Sequence, residues 1–501
     1  MSQIKKGVVL NYTTIILTNV VGLLLTPFIL KSLGQAEYGV YTAIGALVGT
    51  ISLLDLGLNN TIIRFVAKYK AEKNRQKEEN FLATVMLIYL VISVVILILG
   101  FLFYNHLETY FSEMDNNEIK VAKTIFILLI INLAVGIPGG SFKAICFGYE
   151  SFVFPKTLDI IRYVLRCLVV VLVLLSGGKA IALVIIDTIF NFLIILLTFY
   201  YIHFKLNVRF KLIELNKNYI KVIFNYSIWI FVYGMVSQFQ WKAGHIVLGK
   251  ISPPEVLAVY AIGVMLGSYY GAFSSAITGV LLPRATQMTI NKASSEELTS
   301  MMIKVGRVSL IVLLFILGGF TLYGKQFIYL WVGENYYQSW VIALLIMFVY
   351  TIPLVQGFTG PLIEAQNKVA FKSLTYLLFM IIGTTIGYYA ALDYKGIGMI
   401  IGTSIGWLVA QNVMNIFYHK VLNLNIFKFF KELFRKTLVS FIIVMILGYI
   451  LNFIPGNSWF NFIIKCSLYI LIFSVVIYKI GINNYEKKLF QNIFNKAFKR
   501  K

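Results

Sequence analysis

Charged side chains inside long apolar segments are the residues of this sequence best suited to chemistry. Asp159, Arg162 and Arg166 are spaced i, i+3, i+7 in an otherwise apolar stretch, so on a helix they share one face. A charge at the centre of a bilayer costs at least about 2.5 kcal/mol, so this face should turn toward a polar interior. Guanidinium groups bind phosphate oxygens through paired hydrogen bonds. The face therefore predicts an anion-binding surface, with Arg166 deepest in it.

Two carboxylates leave further interpretations open. Asp187 belongs to the next apolar segment at a similar depth, so it could form a structural ion pair with Arg166. Asp187 and Asp55 are also candidates for coupling to Na⁺ or H⁺, because a carboxylate in a low-dielectric bundle can bind a proton near neutral pH. Either could equally be the counter-charge of an arginine.

A polar stripe on a later apolar segment supplies more candidates. Gln238, Lys242 and His245 follow at i, i+4, i+7, which predicts a face turned to the bundle interior. Lys242 could instead extend its ammonium group to the outer surface. Arg64 and Arg284 follow apolar segments, where they either flank an inward-open vestibule or belong to basic loops. The predicted substrate-binding residues are thus Arg166, Arg162, Lys242, Gln238, His245, Arg284 and Arg64.

Catalytic and metal sites are not predicted. The sequence has no Walker A loop, nucleophile elbow or HExxH motif. Its three cysteines and four histidines are scattered without metal-ligand spacing. The glycines between 396 and 402 do not have nucleotide-loop spacing, and they predict close helix packing instead. We therefore expect neither an enzyme nor a cofactor.

Composition sets the fold class. Hydrophobic residues make up 59% of the 501 positions and charged residues 13%, against roughly 25% charge in soluble domains. The apolar runs are continuous and about 20 residues long, as membrane-spanning helices require, so a barrel is excluded. The sequence predicts an all-α polytopic membrane protein with about fourteen spans. These are near 8–30, 39–58, 81–104, 121–141, 157–176, 181–201, 222–247, 257–282, 307–324, 339–363, 372–392, 396–418, 437–454 and 460–479.

The distribution of basic residues predicts orientation. Most of the 44 lysines and arginines fall in alternate short loops, which places both termini in the cytoplasm. The net charge of +23 is therefore explained by these loops, and we expect no nucleic-acid partner.

An internal repeat predicts two lobes. Asn11-Tyr12-Thr13 resembles Asn225-Tyr226-Ser227, and Leu33-Gly34 recurs as Leu248-Gly249. Six spans in each copy give two pseudo-symmetric lobes of like orientation with a substrate site between them. The predicted domains are 1–210, 211–425, and 426–501, the last holding two additional helices and a basic tail.

Four segments in order carry a family resemblance. They are Leu33–Tyr41 (LGQAEYGVY), Leu54–Leu58 (LDLGL) with Arg64, Gly148–Arg162 and Leu248–Ala261. With the fourteen-span layout, the chain resembles the polysaccharide biosynthesis and O-antigen (Wzx-type) flippases of the multidrug/oligosaccharidyl-lipid/polysaccharide (MOP) exporter superfamily. The resemblance covers essentially the whole chain, although each motif alone has little specificity.

The resemblance implies a monomeric flippase of the bacterial cytoplasmic membrane. It would move an undecaprenyl-diphosphate-linked oligosaccharide, an O-antigen, capsule or exopolysaccharide repeat unit, from the inner to the outer leaflet. Transport would occur by alternating access through a cationic central cavity, beside a polysaccharide polymerase and glycosyltransferases. Three alternatives stay open: an ion-coupled multidrug antiporter for organic cations, a peptidoglycan-precursor flippase, and a membrane glycosyltransferase or ligase, which the short loops disfavour.

Overall fold

The computed structural model describes residues 3–214, 231–278, 281–366, 368–483 and 485–487. Within these ranges every regular element is helical. The helices are α1 (Gln3–Leu33), α2 (Gln35–Ile51), α3 (Leu58–Ala71), α4 (Arg75–Tyr104), α5 (Leu107–Tyr110), α6 (Asn116–Gly148), α7 (Val153–Leu175), α8 (Ala180–Phe204), α9 (231–241), α10 (Ala243–Ile251), α11 (Pro254–Thr278), α12 (Leu282–Ile290), α13 (Ser295–Val332), α14 (Tyr337–Val355), α15 (Thr359–Ala365), α16 (Val369–Lys420), α17 (Ile426–Phe434), α18 (Thr437–Ile450) and α19 (Trp459–Val476).

The helices confirm an all-α polytopic membrane protein. Ten described helical segments are long and apolar enough to cross a membrane, and α1 contains a shorter apolar helix, Leu17–Leu33. Helix α7 has 23 residues, a length that also suffices, but it carries the charges of the predicted anion-binding face. The count of fourteen spans stays a prediction.

Helix α13 is longer than the membrane span predicted within it. The sequence predicted a span near 307–324, whereas α13 has 38 residues, or nearly twice the ~20 that cross hydrocarbon. Its start is fixed by a capping box, in which Ser294 accepts a hydrogen bond from the Glu297 backbone and Glu297 accepts one from the Ser294 backbone.

Helix α16 is two antiparallel spans joined at one residue. Lys395 has φ 48° and ψ −129° inside an otherwise helical segment of 52 residues. Across the joint, a Cβ added to Gly383 would lie 2.9 Å from the Gly402 carbonyl oxygen and 2.9 Å from the Gly406 Cα. A Cβ on Gly402 would collide with the Gly387 backbone. This confirms that these glycines allow close helix packing.

Replacing Gly402 with leucine should therefore destabilise the protein by about 1–3 kcal/mol or more, the range for overpacking. Thermal unfolding of the detergent-purified protein would measure the loss. Gly271→Leu is the matched control, because no neighbouring atom lies within 4 Å of a Cβ built there. Equal unfolding temperatures for the two variants would contradict close backbone contact in the hairpin.

The chain forms two compact units, Met1–Ala258 and Val259–Lys501. Residues up to 258 join the first unit because α10 and the turn after it pack on α2 and α5. Tyr110 donates a hydrogen bond to the Ile246 carbonyl at 3.2 Å, and a Cβ on Gly39 would overlap the Pro254 carbonyl. The lobe boundaries at 210 and 425 stay predictions about the repeat, part of which (225–227) lies outside the described residues, as does the tail beyond 487.

The second unit contains a buried ion pair that ties its last helices to α13. Arg307 on α13 is 5% exposed and Glu486 is 1% exposed. Their paired bonds measure 2.5 Å from Nε to Oε1 and 3.1 Å from Nη2 to Oε2. The remaining guanidinium donors reach the carbonyls of Glu432 (2.8 Å), Arg435 (3.1 Å) and Gly481 (2.9 Å). One side chain thus connects α13 with the ends of α17 and the segment after α19.

Candidate functional site

A break after α2 positions the first candidate carboxylate. Helix α2 continues into a short 3-10 turn, Ser52–Asp55, and then Leu56 and Gly57 adopt left-handed φ values of 55° and 70°. Glycine takes this conformation freely, whereas leucine rarely does. The break presents the Asp55 carboxylate to two donors, Asn59 Nδ2 and Tyr89 OH, each at 3.2 Å. Asp55 therefore joins the end of α2 to α3 and α4.

A polar cavity of about 560 Å³ opens beside Asp55 within the first unit. Its polar lining consists of Ser52, Asp55, Asn59, Asn132, Arg162 and Asn191. Gly45, Gly49, Gly136 and Gly140 also line it. A Cβ on Gly136 would lie 3.1 Å from Asn191 Nδ2, so the absence of side chains keeps this wall open. The cavity combines one guanidinium, one carboxylate and several neutral amides.

The amides of α6 and α8 form a connected chain along the cavity. Asn191 Nδ2 donates to Asn132 Oδ1 at 2.5 Å, and Asn132 Nδ2 donates to Thr188 Oγ1 at 3.2 Å. Amides and hydroxyls both donate and accept hydrogen bonds. Such a wall suits a neutral polyhydroxyl ligand as well as it suits helix association.

The charged face of α7 separates into three different environments. Asp159 forms an ion pair with Lys143 of α6. Arg166 forms a two-pronged ion pair with Asp187 of α8, in which Nη2 and Oδ2 are 2.9 Å apart. Arg162, between them, lines the cavity and forms no ion pair with a carboxylate of the described residues.

These contacts change which of Arg162 and Arg166 is the better candidate for binding a ligand. Asp187 neutralises the Arg166 charge and accepts hydrogen bonds from its Nε and Nη2. This geometry favours a structural ion pair over ligand binding for Arg166. The Arg162 guanidinium lines the cavity and has no carboxylate partner among the described residues. A ligand role for either arginine stays a prediction, but Arg162 is the better placed of the two.

One residue of the predicted polar stripe, Lys242, lies next to the same cavity. Lys242 stands at the junction of α9 and α10, where its Cε is 3.8 Å from the Cβ position of Gly49, a cavity residue. The buried Gln238 Oε1 accepts no hydrogen bond from the described residues. His245 is buried in α10. Lys242 thus brings a second positive charge close to the wall that α2 contributes.

Arg64 and Arg284 lie elsewhere. Arg64 is exposed on α3 and does not line the cavity. Arg284 is on α12 in the second unit, where its Nη1 donates to Gln287 Oε1 at 2.9 Å. It lines a surface groove together with Glu296, Glu297 and Lys304. Neither arginine lines that cavity, and their place at an inward-open vestibule stays a prediction.

Sequence reasoning missed Asn59, Tyr89 and Lys143 as members of this site. Asn59 follows Asp55 by one helical turn, which was a usable signal. Tyr89 contacts Asp55 and Lys143 contacts Asp159, each from a different helix. The spacing of residues along the sequence does not predict such contacts. Among the described residues, no group of three His, Cys, Asp or Glu side chains could hold a metal ion.

An apolar groove lies between α13 and α19 in the second unit. Its volume is about 300 Å³, and its walls include Phe315, Phe320, Phe327, Phe462 and Ile470. A Cβ on Gly319 would lie 3.2 Å from the Tyr469 ring, so glycine allows α19 to approach α13 here. The groove offers a hydrocarbon chain aromatic and aliphatic contacts.

The fold is that of transporters of the MOP superfamily. The structure is similar to that of the lipid II flippase MurJ in an inward closed conformation, with a TM-score of 0.66, 16% identity and 99% of each chain covered. It is also similar to an inward-facing multidrug resistance MATE family transporter of the MOP superfamily, with a TM-score of 0.60, 13% identity, and 76% of this chain and 92% of that one covered. The eukaryotic MATE transporter AtDTX14 gives a TM-score of 0.59 at 13% identity, covering 84% and 96%.

The sequence defines the family more closely than the fold does. The model of the family described as "Polysaccharide biosynthesis protein" matches residues 4–289. The chain therefore belongs to the polysaccharide biosynthesis protein family. A search of curated proteins finds no match.

Proposed function

We propose that this protein is a flippase that moves an undecaprenyl-diphosphate-linked oligosaccharide from the inner to the outer leaflet of the bacterial cytoplasmic membrane. Family membership supports a lipid-linked cargo in polysaccharide synthesis. The proposal also takes the transport cycle to be alternating access through a cationic central cavity. Glycosyltransferases would supply the cargo and a polysaccharide polymerase would consume it, while the transporter acts as a monomer.

The position of Arg162 is the observation on which the proposal depends. It is a cation on the cavity wall that no described carboxylate neutralises, whereas Lys143 and Arg166 are paired. A guanidinium can hold a diphosphate through parallel hydrogen bonds. The adjacent amides of Asn132 and Asn191 can bind sugar hydroxyls. Lys242 beside Gly49 adds to the positive potential.

Two further features support parts of this cycle. The apolar groove between α13 and α19 can take up a polyprenyl chain, which must stay in hydrocarbon while the head group crosses. For coupling to Na⁺ or H⁺, Asp55 is a better candidate than Asp187, because its partners Asn59 and Tyr89 are neutral while Asp187 is paired with Arg166.

Asp55 also favours a second candidate function, an ion-coupled organic-cation antiporter. Its carboxylate lines the same cavity as Arg162 and could bind a cationic drug. A peptidoglycan-precursor flippase is a third candidate, since its cargo also carries a polyprenyl diphosphate. A glycosyltransferase or ligase activity has no support, because the family and the fold are those of transporters.

Translocation of a fluorescent undecaprenyl-diphosphate oligosaccharide in proteoliposomes tests the proposal. Arg162→Gln should slow translocation by about 10- to 100-fold, since a hydrogen bond to a charged group is worth about 1.5–3 kcal/mol. Arg209→Gln, an exposed position after α8, is the control and should retain wild-type rates. Transport of an organic cation without transport of the lipid would replace the proposal with the antiporter. Faster movement of a peptidoglycan precursor than of the oligosaccharide would assign the third candidate.

A further inference from the structure

A second polar cleft, far along the sequence from Arg162, lies in the second unit. Its volume is about 750 Å³. It lies where the start of α13, both ends of α16 and the start of α17 come together. The lining residues that matter here are Ser295, Gln366, Lys368, His419, Lys420 and Asn425.

Hydrogen bonds hold the walls of this cleft in place. Lys368 Nζ donates to the Val421 carbonyl at 3.3 Å, which links the two ends of α16. The Asn425 backbone N–H donates to Thr299 Oγ1 at 3.0 Å, which fixes the 421–425 loop on α13. His419 Nδ1–H donates to the Leu424 carbonyl at 3.1 Å. The cleft is therefore formed before any ligand arrives.

The charge of the cleft selects an anion. Lys368, Lys420 and His419 line it, and no carboxylate does among the residues that the structure describes. Neither lysine forms an ion pair with a described carboxylate. Since an ammonium group has three donors, Lys368 has two left beyond its bond to Val421. Glu296 on α13 is already paired with Lys428, at 3.1 Å.

Helix α17 sets the depth of the cleft in the membrane. Phe429 and Leu433 are buried, while Phe427 is 82% exposed and Phe434 is 44% exposed. Lysines flank these exposed rings along the same helix, at 428 and 431. Such a helix lies in the interface, with its rings in the acyl region and its cations among the head groups. The cleft at its N-terminal end therefore lies at head-group level, on the side that the charge bias assigns to the cytoplasm.

We propose that this cleft binds the phosphodiester of an anionic phospholipid of the inner leaflet. Lys368 and Lys420 hold the phosphate oxygens, and the Gln366 amide binds head-group hydroxyls. Asn425 Oδ1 accepts the Lys428 backbone N–H at 2.8 Å, so Asn425 offers the head group its Nδ2 donor. Phe427 contacts the first acyl methylenes, which favours a lipid over free phosphate. The site serves a resident lipid rather than the translocated cargo, and it does not depend on the proposed function.

Native mass spectrometry of the purified full-length protein, with phosphatidylglycerol or phosphatidylcholine added in detergent, tests this site. The double variant K368Q/K420Q should retain phosphatidylglycerol about 25-fold less well, since each cation near an anionic surface contributes roughly a factor of five. Phosphatidylcholine retention should not change. K368R/K420R keeps both charges and should bind as the wild type does, which separates loss of binding from loss of folding.

The matched control is K205Q/K211Q, two exposed lysines after α8, which should leave retention unchanged. Equal retention of phosphatidylglycerol by K368Q/K420Q and the wild type would overturn the proposal. So would displacement of the lipid by millimolar inorganic phosphate, because the cleft would then be a site for a free anion. Phe427→Ser should weaken lipid retention, and an unchanged value would also count against a lipid ligand.

Discussion

Arg307→Met should lower the free energy of unfolding by about 3–5 kcal/mol, the loss found when one partner of a buried ion pair is removed. The change leaves the Glu486 carboxylate charged at 1% exposure. It also removes the donors that reach the carbonyls of Glu432, Arg435 and Gly481. Unpaired buried acceptors each add to the loss. Thermal unfolding in detergent, followed by tryptophan fluorescence, measures the effect.

Two variants make this result specific. Arg435→Gln removes an exposed arginine that is 3.4 Å from Glu432, and such pairs are worth only about 0–1 kcal/mol. It should unfold close to the wild type. The double variant R307M/E486L should be more stable than R307M, because no uncompensated charge remains. It should not reach the wild type, since the carbonyls of Glu432 and Gly481 lose their Arg307 donor and the Arg435 carbonyl keeps only the longer bond from Thr437 Oγ1 at 3.4 Å. Wild-type stability of R307M would show that the C-terminal segment is attached by other contacts.

Arg166→Ala should abolish transport while the protein still inserts in the membrane. The substitution leaves the Asp187 carboxylate between α7 and α8 without its ion-pair partner. An uncompensated charge within the membrane distorts the local helix packing. Flipping in proteoliposomes measures the loss, and fluorescence-detected size-exclusion chromatography verifies insertion. Full activity in this variant would remove Arg166 from the site.

The double variant R166M/D187L distinguishes pairing from ligand binding. If the ion pair is structural, replacing both partners removes the stranded charge and activity should return to within about tenfold of the wild type. We expect this recovery, because Arg166 Nε and Nη2 both donate hydrogen bonds to the Asp187 carboxylate. Persistent inactivity of the double variant would contradict a purely structural role for the Arg166–Asp187 pair.

The helices and the charges could be predicted from the sequence, while most of their partners could not. Apolar runs of membrane-spanning length identify spans regardless of what surrounds them, and the i, i+3, i+7 spacing gave the charged face of α7. The Arg166–Asp187 pair could also be predicted, because adjacent spans place these two residues at a similar depth in the membrane. The Lys143–Asp159 and Tyr89–Asp55 contacts depend instead on how helices rotate against each other, which hydrophobic periodicity in one sequence does not determine.

Helix ends show a different limit. A hydropathy run ends where charges begin, so the span at α13 was predicted to start near 307. The capping residues Ser294 and Glu297 were present in the sequence, and they fix the start of the helix, which precedes the predicted span. The division at Ala258 follows from the packing of α10 on α2, and the lobe boundary that the repeat predicts at 210 stays a prediction.

The single-residue joint at Lys395 has a consequence for biogenesis. With only one non-helical residue between them, the two halves of α16 are expected to enter the bilayer together. The insertion machinery must accept them as one preassembled hairpin. An epitope or glycosylation tag inserted at this joint should therefore block synthesis of the mature protein, even though the position is a connection between spans.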